Sequence, residues 1–200
     1  LRTQGLASAT SRLARGVAAV SGFVRNALNT TLPCGARLCD IAPARRRAEI
    51  EFHLALHPAR SSALYALLHR HGYQSERGGV EPDRLHGPLT GKIRLGFAHA
   101  GRFPIVDWKT NRCPPYDAAA LGAEVTKHDY DLQWLLYTLA LHRWLRQQVP
   151  GYAYDTHVGE VYYLFVRGIV EGRGVHRDRP PRDLIAAMDA LFDTDAEAAA

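Results

Sequence analysis

The feature that most constrains this chain is the alternation between residues 89 and 108. Ile93, Leu95 and Phe97 fall on one parity and Lys92, Arg94 and Gly96 on the other. A period of two suits a strand and denies a helix its apolar stripe. Ala100-Gly101 supplies a tight turn into residues 103–108, so a β-hairpin is predicted. Two further runs read as strands. Over residues 49–56, Ile50, Phe52 and Leu54 oppose Glu49, Glu51 and His53, which makes a half-buried strand with two outward carboxylates. Residues 158–166 (VGEVYYLFV) form the other and lead into a polar turn.

Helical patterns lie between these runs. Leu13, Val17, Val20, Val24 and Leu28 predict one amphipathic helix over residues 8–31, ending before Pro33 and Gly35. A basic run, Arg45, Arg46 and Arg47, follows. Residues 61–70 read as a short helix and 71–88 as a Gly/Pro-rich polar loop, an insertion site rather than a domain boundary. Asp117 can cap a helix through Thr126. Residues 129–148 read as a long helix that turns Leu132, Leu135, Leu136, Leu139 and Ala140 to a core and stops at Pro150-Gly151. A last helix runs from about Arg182 to Phe192. This order predicts an α/β domain, a mixed sheet flanked by helices, spanning residues 1–200 as a single unit.

With 46% hydrophobic and 22% charged residues, the chain has enough apolar material for one core, which excludes disorder and fibre. No apolar run approaches the roughly 18 to 20 residues that span a bilayer, and no signal-peptide pattern opens the chain. No membrane is expected. Cys34, Cys39 and Cys113 are odd in number and lack metal-type spacing, so neither a disulfide framework nor a zinc site is expected, and a reducing cytoplasm is the simplest compartment. The first residue is Leu1, and the expectation is a carboxy-terminal piece of a longer protein.

A net charge of +5 permits a nucleic-acid partner without requiring one. Only Lys92, Lys109 and Lys127 among the 25 basic residues are lysine, which draws attention to Lys109. In the run Ile105-Val106-Asp107-Trp108-Lys109, the aspartate and lysine share a strand face and Trp108 takes the other. A carboxylate beside an ammonium suits metal-assisted phosphodiester hydrolysis, because the acid can hold a cation while the lysine offsets developing charge. D-x-K also occurs by chance at solvated strand ends. Gln133 and Tyr137, four apart, share a helix face, as an ordinary amphipathic edge also would. The ten histidines are scattered, and there is no Walker-type phosphate loop.

The segments LTGKIRLGFAHAGRFPIVDWKTN, DYDLQWLLYTLALHRWL and EVYYLFVRG, in that order, resemble the carboxy-terminal nuclease domain of the RecB family, the helicase–nuclease subunit of the RecBCD exonuclease. The likeness extends from the helix before Glu49 to the helix near Phe192. It implies the restriction-endonuclease-like PD-(D/E)XK fold and a magnesium-dependent exodeoxyribonuclease acting in double-strand break repair and recombination, with DNA and RecC-like and RecD-like subunits as partners. By the same resemblance Asp107 is a metal ligand, Trp108 lends its backbone carbonyl to the metal, and Lys109 is catalytic. Gln133 and Tyr137 match the family's Q-x-x-x-Y, and Glu49 its E-x-x-F strand.

Two departures follow. Where the family's hairpin strand carries a second metal-binding aspartate, Gly91-Lys92-Ile93-Arg94-Leu95 presents Arg94. The family's G-T-x-x-H histidine has no counterpart before Glu49. An arginine stays protonated, so magnesium binding is expected to be weakened, which leaves open a catalytically impaired domain retained for DNA binding or subunit contact. Arg94 is expected to reach across to Asp107 and take the metal's place. Lys92, Arg94, Arg112 and Lys127 are the expected phosphate contacts.

Overall fold

The computed structural model describes residues 2–56, 61–73, 87–170 and 172–192. Five strands form one mixed sheet in the order β1 (Arg46–Leu56), β2 (Gly87–Phe97), β3 (Phe103–Lys109), β4 (Val158–Phe165) and β5 (Val175–Asp178). Only the β3–β4 pair is parallel; the other three are antiparallel. Parallel neighbours need a long crossover. Here it consists of α3 (Ala118–Lys127), α4 (Tyr130–Gln148) and the short α5 (Tyr154–His157). The remaining helices are α1 (Arg2–Asn29), α2 (Ser61–Arg70) and α6 (Arg182–Leu191). The α/β architecture, a mixed sheet with flanking helices, agrees with the sequence.

Each face of the sheet has its own core. On one, Leu54, Ile93, Ile105, Val161, Tyr163 and Phe165 meet buried residues of α2, α3, α4 and α6, Leu135, Leu139 and Ile185 among them. On the other, Phe97, Val106, Tyr162 and Leu164 meet Ala27, Leu32 and Leu38. Asp117 caps α3, its Oδ1 accepting the Ala120 amide at 2.9 Å. Gly159 lets β4 lie against β3: a Cβ there would stand 2.6 Å from the Pro104 nitrogen.

Three sequence expectations change. The hairpin parity does not hold along β2, because Ile93 packs in the first core while Leu95 and Phe97 pack against the second. The break coincides with Glu49, whose φ of +52 is in the left-handed region, and with the one gap in the β1–β2 ladder between Ala48↔Leu95 and Ile50↔Ile93. Next, the polar turn expected after β4 contains a strand, β5. Its four residues are too few to show a period, and its ladder with β4 defines it. Finally, the stripe of α1 does not face a core: Leu13, Val17, Val20 and Val24 are exposed, and among the described side chains of the helix Ala27 and Leu28, at its carboxy-terminal end, pack on the sheet. Most of the 71–88 loop lies outside the described residues.

Candidate active site

Strand β3 runs through the middle of the sheet, so its residues are covered on both sides. Asp107 is 4% exposed and Lys109 8%, although both carry charge. Buried charges must be paired or hydrogen-bonded to be tolerated. These are: Lys109 Nζ lies 3.5 Å from Asp107 Oδ1, and the Tyr137 hydroxyl donates to Asp107 Oδ2 at 3.2 Å. Lys109 Nζ also donates to Gln133 Oε1 at 2.7 Å. One turn of α4 thus aims Gln133 at the lysine and Tyr137 at the aspartate, as spacing by four on a helix allows.

Two residues that the sequence did not single out complete the site. The Tyr163 hydroxyl donates to the same Gln133 oxygen at 2.7 Å, fixing the amide with its oxygen toward Lys109. The lysine ammonium sits over the Tyr130 ring at 3.7 Å and the Tyr163 ring at 4.3 Å, an arrangement that attracts a cation to the ring faces. Tyr163 stands beside Asp107 through the parallel β3–β4 register. That register joins segments separated by two helices, so only the strand parity within VGEVYYLFV was open to reading.

Burial lowers the proton affinity of Lys109 from the ordinary 10.5, Asp107 works against this, and Arg94 adds to it. Burial, and then the Asp107 charge, pushes the Tyr137 hydroxyl well above its ordinary value, so it remains a donor. The site therefore holds one ammonium that loses its proton more readily than usual, beside one oriented carboxylate.

Glu49 and Trp108 are placed differently. The Trp108 side chain packs against the second core, on the far face from Asp107. Glu49 accepts from Arg94 Nη1 through both oxygens, at 3.2 and 3.1 Å. The expected Arg94–Asp107 pair is thus not the one formed: Asp107 acts on Arg94 only through its charge, as a lesser influence than Glu49. Glu49 lies directly opposite on the neighbouring strand, while Asp107 is already engaged by Lys109 and Tyr137.

A profile of the PD-(D/E)XK nuclease superfamily matches residues 26–200. The chain belongs to the PD-(D/E)XK nuclease superfamily. Among its relatives, RecBCD enzyme subunit RecB of Escherichia coli (strain K12) is 35% identical over 184 residues, covering 86% of this chain and 15% of that protein. The corresponding subunit of Haemophilus influenzae is 36% identical over 166 residues, covering 79% and 14%. That of Mycolicibacterium smegmatis is 38% identical over 136 residues, covering 59% and 12%. The chain therefore spans about a seventh of these relatives' length and is a RecB-like nuclease domain of the restriction-endonuclease-like fold.

PD-(D/E)XK nucleases generally use divalent metals. Magnesium prefers near-octahedral oxygen, commonly with one or two carboxylates. In this PD-(D/E)XK domain Asp107 divides its oxygens between Lys109 and Tyr137, and Glu49 gives both to Arg94. No group of three His, Cys, Asp or Glu suited to a metal occurs among the described residues. As arranged, one carboxylate flanked by two cationic side chains does not fit a divalent-ion site. Cys34, Cys39 and Cys113 are free thiols, and no described helix is long and apolar enough to cross a membrane.

Proposed function

We propose that this chain is the nuclease domain of a RecB-type helicase–nuclease and that its site acts on phosphodiester bonds of DNA, as an exodeoxyribonuclease of double-strand break repair and recombination. One observation carries the reading: Asp107, Lys109, Gln133 and Tyr137, drawn from segments more than twenty residues apart, converge in one buried site. Gln133 and Tyr163 hold the Lys109 ammonium in place, where positive charge can stabilise a phosphate gaining charge in the transition state. Its eased deprotonation suits proton transfer nearer neutral pH than an ordinary lysine allows. Tyr137 orients the Asp107 carboxylate. The rest of a longer protein, with RecC-like and RecD-like subunits in the cytoplasm, would present the DNA.

The Arg94–Glu49 pair favours a second reading, a domain in which cleavage is weak and the fold serves DNA binding or subunit contact. Degradation of end-labelled linear DNA with magnesium, beside binding of the same DNA without it, separates the two. Cleavage lost on Lys109→Met supports the nuclease reading. DNA binding with cleavage no greater than in that variant supports the second. A chain that neither cleaves nor binds DNA excludes the nuclease and leaves only subunit contact.

A further inference from the structure

The basic run at the start of β1 has no role in the site described so far. Arg45, Arg46 and Arg47 are exposed, and none has a carboxylate partner among the described residues. Three of the four basic residues expected to meet phosphate have their charge engaged otherwise: Lys92 with Glu51 at 2.9 Å, Arg94 with Glu49 at 3.1 Å, and Lys127 near Glu124 at 3.9 Å. Arg45, Arg46 and Arg47 are among the residues that line a cleft of about 390 Å³, together with Phe103, Leu141 and Trp144. Trp144 is 40% exposed, and no ring or cation stacks on it among the described residues. An exposed tryptophan ring beside uncompensated guanidinium groups matches a ligand that brings both a flat π-face and anionic charge.

The cleft and the active site share helix α4. Gln133, Tyr137, Leu141 and Trp144 follow one another by four, four and three residues on α4, so they line a single stripe of that helix. At 1.5 Å per residue, Trp144 lies about 10 Å along the axis from Tyr137. Tyr137 and Leu141 are buried in the first core, and Trp144 is the exposed end of the stripe.

We propose that this cleft is a single-stranded DNA subsite, with Trp144 stacking on an unpaired base and Arg45, Arg46 and Arg47 contacting the flanking phosphates. It rests on the reading that the substrate is DNA but not on cleavage. A duplex hides its base faces within its own stack and cannot offer one to Trp144, whereas a single strand can. The subsite holds the strand; it does not touch the reacting bond.

The test is fluorescence anisotropy of a labelled oligothymidylate with the full chain, without divalent cation, over a range of salt. Trp144→Ala is expected to weaken binding about fivefold or more, the lower end of what one base–aromatic stack contributes, while Trp144→Phe retains most of the affinity. Replacing the three arginines with alanine is expected to reduce the slope of log affinity against log salt by about 0.7 for each phosphate that is no longer neutralised. Because these arginines are exposed, their slope decides the question even where Trp144→Ala folds poorly. If wild type binds the oligonucleotide and the arginine variant keeps the same affinity and slope, the subsite is overturned while the DNA reading stands. If blunt duplex binds with equal dependence on Trp144, the single-strand assignment is overturned. If wild type binds neither DNA, the subsite and the DNA reading fall together.

Discussion

Arg94 and Glu49 face each other across β1 and β2, the guanidinium reaching both carboxylate oxygens at 3.2 and 3.1 Å, one strand away from Asp107. The side chains are 50% and 51% exposed, so solvent screens the pair heavily. It holds Glu49 by occupancy rather than by strength. Removing the arginine should therefore release an acid and leave the fold intact.

On that basis Arg94→Asp is expected to bind magnesium or calcium at least about tenfold more tightly than the unmodified chain, the lower end of what one residue around a metal contributes. Calorimetric titration of both forms measures this directly. Equal, tight binding by the unmodified chain would show that its site is complete without a second acid and that Arg94 is no obstacle.

The buried Asp107–Lys109 pair should behave as a unit. Lys109→Met leaves a carboxylate at 4% exposure facing only Tyr137 and the more distant Arg94, and Asp107→Asn leaves a buried ammonium short of its counter-charge. Each single change is expected to destabilise the fold, by up to about 3 kcal/mol. The double variant should lose less than the sum, with a coupling of about 1 to 3 kcal/mol. Urea unfolding of the four proteins gives the cycle, and strict additivity would mean that the two charges do not support each other.

Acid stability should depend on Asp189 of α6, which accepts from Arg143 at 2.5 Å and Arg146 at 2.9 Å and so ties that helix to α4. Burial raises its proton affinity, but the two arginines outweigh this and hold its pKa below 3.8. A carboxyl lowered by folding stabilises above its unfolded value and loses that contribution as pH falls through the folded one. Asp189→Asn should therefore cost on the order of 2 kcal/mol at neutral pH and progressively less below about pH 4. Thermal or urea unfolding at several pH values would show the two curves converging; a constant separation would assign the loss to packing.

Much of the site was legible because local periodicity carried it. Strand parity put Asp107 and Lys109 on one face, helix spacing did the same for Gln133 and Tyr137, and the order of motifs supplied the superfamily. What periodicity could not carry was the matching of one element to another. Tyr163 and Tyr130 reach Lys109 through the parallel β3–β4 pairing and the placement of α4, neither of which leaves a local signal. The failure at β2 has a local cause: one left-handed residue, Glu49, coincides with a switch of faces between Ile93 and Leu95 that counting by twos cannot anticipate.

The sequence by itself determined four of the five strands, the five longer helices, the carboxylate–lysine pair on one strand face and the presence of a guanidinium where relatives of this type are expected to carry an acid. Only the tertiary structure decided what that guanidinium does. Its partner was fixed by cross-strand adjacency, since Glu49 stands opposite it with both oxygens open while Lys109 and Tyr137 already satisfy Asp107. Charge pairing at a few ångströms depends on which groups are still unsatisfied after packing, and that is set by the assembled sheet rather than by any stretch of chain.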